Sequence, residues 1–161
     1  MTNLSNLERR RLQGEIVKPI YDELVDEIGK EAARDLISRA VTKSAQAEAK
    51  LAAAFSEETS LTVFAALFNA VYRDPGGDAS GLDIEPLHED ETRLDFNVTR
   101  CRFMDMYAEL GLSDIADVLS CNRDGEFAGA FDNRIKLTRD QTIAGGAQCC
   151  TFRFRQENNH D

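Results

Sequence analysis

The sequence predicts an α+β fold in which N-terminal helices pack on an antiparallel sheet of about four strands, with short helices interspersed. Two observations predict it. Up to residue 74 the apolar residues recur at three- and four-residue intervals, whereas from residue 82 they mostly alternate with polar ones. The order matters too, because helices first and strands afterwards is the pattern of a segregated α+β domain rather than of repeated βαβ units. The 161 residues fit one domain. A chain of this size buries about 70% of the surface it exposes when unfolded and needs no staple. Residues 1–74 read as a helical scaffold and 82–155 as the strand-containing, site-bearing portion.

The first helix starts where Ser5 can cap it, with Glu8 at the capping-box position. Leu12, Ile16, Ile20, Leu24 and Ile28 then recur every fourth residue up to Gly29, and Pro19 predicts a kink or break near Lys18. A second helix carries Ala33, Leu36, Ile37, Ala40, Ala47, Leu51 and Phe55, its alanines suited to close packing on the first. Ser60 opens a third, with Leu61, Phe64, Leu67, Phe68 and Val71, stopped by Asp74-Pro75-Gly76-Gly77.

Alternation then sets in. Leu82 with Ile84, and Leu94, Phe96 and Val98, predict two antiparallel strands joined near Glu89-Asp90-Glu91. Phe103, Met106, Tyr107 and Leu110 return to helical spacing, which Gly111 ends. Ser113-Asp114 caps a further helix running through Val118 and Leu119 into Cys121, and Gly125 to Phe131 reads as a compact loop or short helix. Ile135 with Leu137, and Cys150, Phe152 and Phe154, give two more strands, with Gly145-Gly146 as a turn between them. The tail after Arg155 is polar and expected to fray.

The net charge of −10 speaks against a nucleic-acid backbone or an anionic membrane as partner. A small-molecule substrate or a protein partner is more natural, and a homo-oligomer is open. The start of the chain carries no apolar leader, and the longest nearly apolar run, Val63 to Tyr72, is too short to span a bilayer, so a cytoplasmic protein with reduced thiols is expected. Four cysteines in this length are too sparse for a secreted disulfide framework.

Only two histidines occur, His88 in an acidic strand or turn and His160 in the tail, so a Cys-His or Ser-His-Asp nucleophile system is disfavoured. Cys121 and Asp124 are three apart and share a face if the helix continues through them. Arg123 beside them could lower the thiol pKa. A buried cysteine before a turn aspartate is the plainer alternative. Cys150 shares strand parity with Phe152 and Phe154, while Cys149 faces away with Thr151 and Arg153. Cys101 sits at a strand-to-helix junction, where a helix N-terminus could stabilise its thiolate. Three cysteines and an aspartate could also bind zinc, although no CxxC pair is present. Arg134, Arg139 and Arg153 can each offer a guanidinium fork to a carboxylate.

Cys101, Cys121-Asn122-Arg123-Asp124, Thr138-Arg139, Gly145 or Gly146, and Cys150-Thr151-Phe152-Arg153-Phe154 together form a pattern that resembles the L-2-amino-thiazoline-4-carboxylic acid hydrolase family. The resemblance spans roughly Leu94 to Arg155 and, more loosely, the N-terminal helices. It departs from the family pattern at Thr151, where an Asp is usual, and in the added thiol of Cys149. The resemblance implies hydrolysis of a cyclic isothiourea, opening a thiazoline ring to N-carbamoyl-L-cysteine, with no cofactor and no metal. It makes Cys121 the first candidate nucleophile, Cys101 the second, and Asp124 the proton carrier or water-positioning group. Arg139 or Arg153 would hold the substrate carboxylate, with Asn122, Asn133 and Cys150 as further substrate-binding candidates. A non-catalytic binding domain of the same fold, or a zinc protein, is the alternative.

Overall fold

A computed structural model describes residues 4–73 and 80–157. The expected turn at Asp74 to Gly77 and the end of the tail, with His160, lie outside the described residues. The chain order is α1 (Asn6–Ile28), α2 (Lys30–Ala54), α3 (Leu61–Phe68), β1 (Leu82–Glu89), β2 (Arg93–Cys101), α4 (Arg102–Glu109), α5 (Ala116–Leu119), α6 (Cys121–Phe131), β3 (Ile135–Thr138) and β4 (Cys150–Gln156). No described helix is long and apolar enough to cross a membrane.

The helix start at Ser5 forms as its sequence dictates. The Ser5 hydroxyl accepts from Glu8 N–H at 3.2 Å and Glu8 Oε2 accepts from Ser5 N–H at 2.8 Å. The expected break at Pro19 does not occur, and α1 runs unbroken through it. Its apolar row also faces the wrong way for a core stripe. An α-helix advances 3.6 residues per turn, so a strict four-residue spacing drifts about 40° per step. Leu12, Ile16, Ile20 and Ile28 consequently stay exposed, while Gly14 and Tyr21 are buried and Val17, Leu24 and Val25 pack partly on the core.

The four strands form one antiparallel sheet in the order β1-β2-β4-β3, as the alternation predicts. Leu94, Phe96, Val98, Cys150, Phe152, Phe154 and Ile135 are its buried apolar set, and the helices cover that face. Phe64 of α3 lies 5.0 Å from Phe154 and 6.2 Å from Phe131, and Phe68 lies 4.8 Å from Phe96, so an aromatic layer joins α3, α6 and the sheet. Pro86 sits in the edge strand β1, next to a register shift, where a missing ladder donor is tolerated. On the opposite face Asp95 is buried between Arg93 at 2.6 Å and Arg155 at 2.5 Å, covered by the long stems of its own partners.

Gly81 sits at the approach to β1 with φ +85, and a Cβ there would meet a Phe103 ring carbon at 2.6 Å. Phe103 is itself buried and cannot yield easily. Gly81→Ala should therefore cost about 2 kcal/mol or more, combining the left-handed penalty with displacement of that ring. Urea unfolding of the variant checks this.

Candidate functional site

Three thiols come together because three chain segments end or begin in one place. Cys101 closes β2, Cys121 opens α6, and Cys150 opens β4 on the buried face of the sheet, where Val98 is its β2 neighbour. Each is close enough to feel the charge of Asp124, and Cys121 and Cys150 also feel Arg139. Burial dominates all three. It pushes Cys101 up to about 11 and Cys121 up to about 12, and it raises Cys150 as well. Cys101 and Cys121 are therefore protonated at neutral pH.

The N–H groups of Phe103 and Met104 favour a Cys101 thiolate, as expected at a helix start, but they form no cap hydrogen bond and do not outweigh burial. The Cys150 sulfur accepts from Ile143 N–H at 3.2 Å. Cys149 is placed differently, its sulfur accepting from Gln141 Nε2 at 3.3 Å.

Asp124 is the hub. Gly125 to Phe131, expected as a compact loop or short helix, belong to a full helix that starts at Cys121 and runs through Gly125 and Gly129, and this sets Cys121 and Asp124 on one face. Arg139 donates from Nη1 to Asp124 Oδ2 at 2.6 Å and from Nη2 to the Cys121 carbonyl at 3.0 Å. Its guanidinium also lies 4.9 Å from the Phe152 ring centre, a cation–π contact that fixes its plane. Burial nevertheless raises the Asp124 carboxyl above the ordinary aspartate value, against the pull of Arg139, Arg123 and Arg10. The side chain keeps 29% of its surface open even so, and it lines a cavity.

That cavity measures about 200 Å³ and is drawn mainly from the half of the chain that reads as scaffold. Phe64, Phe68, Phe127 and Phe154 give it an apolar wall, while Arg9 and Arg10 of α1 and Arg123 of α6 give it a basic rim. Arg10 and Arg123, both nearly buried, share Glu48 Oε2 of α2 at 3.3 and 2.5 Å. Arg123 is therefore committed to Glu48 and the rim instead of activating Cys121. Tyr72 lies on the π-helical turn Asn69–Arg73 that follows α3, its hydroxyl accepts from Asn6 Nδ2 at 3.1 Å, and burial raises its pKa. Two other hollows, about 210 Å³ beside β1 and about 560 Å³ around Arg134, do not include Asp124, and no thiol lines any of the three.

Other residues singled out by sequence lie elsewhere. Arg153 donates to the carbonyls of Phe96 and Phe152, both at 2.8 Å, and to Asn97 Oδ1 at 3.0 Å, away from the cavity. Arg134 is bound to Asp132 at 2.6 Å. Asn122 is exposed and donates to Ser38 Oγ at 2.8 Å, and Asn133 is exposed with its carbonyl accepting from Lys136 Nζ at 2.8 Å. Among the described residues no group of three or more His, Cys, Asp or Glu side chains is arranged to hold a metal ion. The rim arginines were open to detection in the sequence as the run Arg9-Arg10-Arg11 in an otherwise acidic chain.

The solved phenol-responsive sensory domain of the transcription activator PoxR, determined with phenol, aligns at a TM-score of 0.46 and 16% identity, covering 89% of this chain and 74% of that one. No curated protein matches the chain. The family model of the L-2-amino-thiazoline-4-carboxylic acid hydrolases matches residues 9–154, from the first turn of α1, with the rim arginines, to Phe154 at the back of the cavity. The chain belongs to the L-2-amino-thiazoline-4-carboxylic acid hydrolase family.

Proposed function

We propose that the chain hydrolyses a small cyclic amidine or isothiourea bearing a carboxylate, bound in the cavity that Asp124 faces. The observation that carries this reading is the Asp124 carboxyl itself. It is raised by burial, held in plane by Arg139, and open to a cavity with a basic rim and an aromatic wall. Those are the attributes of a general acid–base group working near neutral pH. Family membership supplies the reaction class.

In this reading Arg10 and Arg123 take the substrate carboxylate, with Arg9 at the mouth. Arg139 and Arg153 are not part of the clamp in this reading, since neither lines the cavity. The ring lies against the Phe64 and Phe127 side of the cavity. Asp124 takes a proton from water as the water oxygen bonds to the ring carbon between nitrogen and sulfur. It then returns that proton to the departing sulfur or nitrogen as the ring bond breaks. The neutral thiols favour water as nucleophile. Attack by Cys121 is the second reading, favoured by the electrostatic coupling of its thiol to Asp124 and Arg139. It requires Asp124 to remove the thiol proton first.

Turnover of L-2-amino-thiazoline-4-carboxylate and related cyclic amidines tests the proposal. With water as nucleophile, Cys121→Ala keeps substantial turnover and Asp124→Asn loses it, whereas attack by Cys121 makes both inactive. No turnover by folded wild-type protein, with ligand binding that survives both substitutions, would leave the non-catalytic binding domain.

Glu48 gives an independent check on the rim. Its carboxylate occupies the place a ligand carboxylate would take between Arg10 and Arg123. Glu48→Gln should tighten binding of an anionic ligand by roughly three- to tenfold, the scale of a partly exposed ion pair, without tightening that of the corresponding neutral amide. Calorimetric titration of the two ligands reads the difference.

A further inference from the structure

The charges on α1 divide into two sets. Arg10, Arg11 and Lys18 are paired within the chain, to Glu48, to Glu109 and to Asp22. Glu8, Arg9, Glu23, Asp26 and Glu27 take no ion-pair partner among the described residues. On a helical wheel Arg9, Glu23 and Glu27 fall on the same side as Leu12, Ile16 and Ile20, all exposed, with Ile16 at 67%, while Glu8 and Asp26 stand at its flank. The result is an apolar row with one free positive charge toward its N-terminal end and two free negative charges toward its C-terminal end. The midpoint between Ile16 and Ile20 is residue 18, and Arg9 and Glu27 stand equally far from it on either side.

Such a face is complementary to its own reverse. Laid antiparallel about a two-fold axis at residue 18, it sets Ile16 of one copy against Ile20 of the other, Gln13 against Glu23, and Arg9 against Glu27. A parallel pairing would oppose Arg9 to Arg9 and Glu23 to Glu23. The antiparallel arrangement is the isologous geometry of a two-fold dimer, and apolar knobs flanked by opposite charges are what sets helix orientation in such pairs.

We propose that a second copy of this chain covers the exposed face of α1, the two α1 helices packing antiparallel with Arg9 of each copy facing Glu27 of the other. The arrangement covers the apolar row that the fold leaves in water and pairs Arg9 with Glu27, while Glu23 faces the neutral Gln13. Arg9 also lines the cavity, so the contact lies beside the candidate site, without touching the thiols or Asp124.

Sedimentation equilibrium of the full chain across the micromolar range tests it. The wild type should be a dimer, and Ile16→Glu, at a surface position that should tolerate the change, should be monomeric with an unaltered circular dichroism spectrum. Arg9→Glu and Glu27→Arg should each weaken the dimer by roughly tenfold, and the double variant should recover most of the loss. A wild-type monomer throughout that range overturns the proposal. So does a dimer that survives Ile16→Glu, and so does a double variant no tighter than the singles, because each places the contact elsewhere or in another orientation.

Discussion

Asp124→Asn should lower kcat by roughly 10²-fold or more while leaving the protein folded and no less stable at neutral pH. Both halves of this result follow from one fact, that burial raises the carboxyl above its ordinary value. For catalysis, the acid limb of the pH–rate profile should follow the ionisation of Asp124, since a general base acts only when deprotonated. That limb should therefore lie above the range of a solvated aspartate, and it should vanish in the variant. For stability, a carboxyl whose folded pKa exceeds its unfolded one favours the fold while protonated. That contribution is complete below the unfolded value and is lost as the pH rises through the folded one. Ionising the buried carboxyl is a net cost of folding, and Asn removes that cost while keeping an oxygen for Arg139. Comparing urea midpoints at pH 7 with turnover separates the two effects. A variant that turns over normally would take Asp124 out of the chemistry.

The fold was legible in the sequence to the extent that local patterns were unambiguous. Alternation at Leu94-Phe96-Val98 and Cys150-Phe152-Phe154 specified which face of each strand is buried, because a period of two leaves no second choice. Ser5 and Glu8 specified a helix start through chemistry confined to four residues. The apolar row of α1 misled, since a four-residue repeat marks helicity without saying which flank meets the core. Pro19 misled too: a helix can absorb one missing donor when its other turns are packed, as α1 does through Gly14 and Tyr21.

The site was half legible. The strand parity of Cys150 and the family pattern pointed to Cys101, Cys121 and Cys150 with Asp124, and Arg139 was picked as a guanidinium of interest. Its partner was not deducible, because a ligand carboxylate and the Asp124 carboxylate look alike to an arginine. The cavity was illegible for a different reason. Arg10 and Glu48 are brought to Arg123 by the packing of α1 and α2 against α6. Contacts between residues so far apart in the chain leave no periodic trace.

Phe154→Ala should destabilise the domain by about 3–5 kcal/mol, the largest stability effect expected of any single truncation considered. Phe154 is 1% exposed, lies 5.0 Å from the Phe64 ring and 6.2 Å from Phe96, and is the β4 residue that pairs with Leu94 on one side and Leu137 on the other. Removing the ring takes contacts from α3 and two strands at once. One face of Phe154 borders the existing cavity, so the vacated space joins it and water can enter, which places the cost toward about 3 kcal/mol. For a chain of this length that corresponds to a fall in Tm of roughly 6–12 °C. Phe154→Leu should recover part of the loss by keeping contact with Phe64. The same truncation removes part of the aromatic wall of the proposed site, so ligand affinity should fall in Phe154→Ala even well below its Tm. A Tm within a degree or two of wild type would mean that α3 closes onto β4 and refills the space, and that the aromatic layer is not what ties the helices to the sheet.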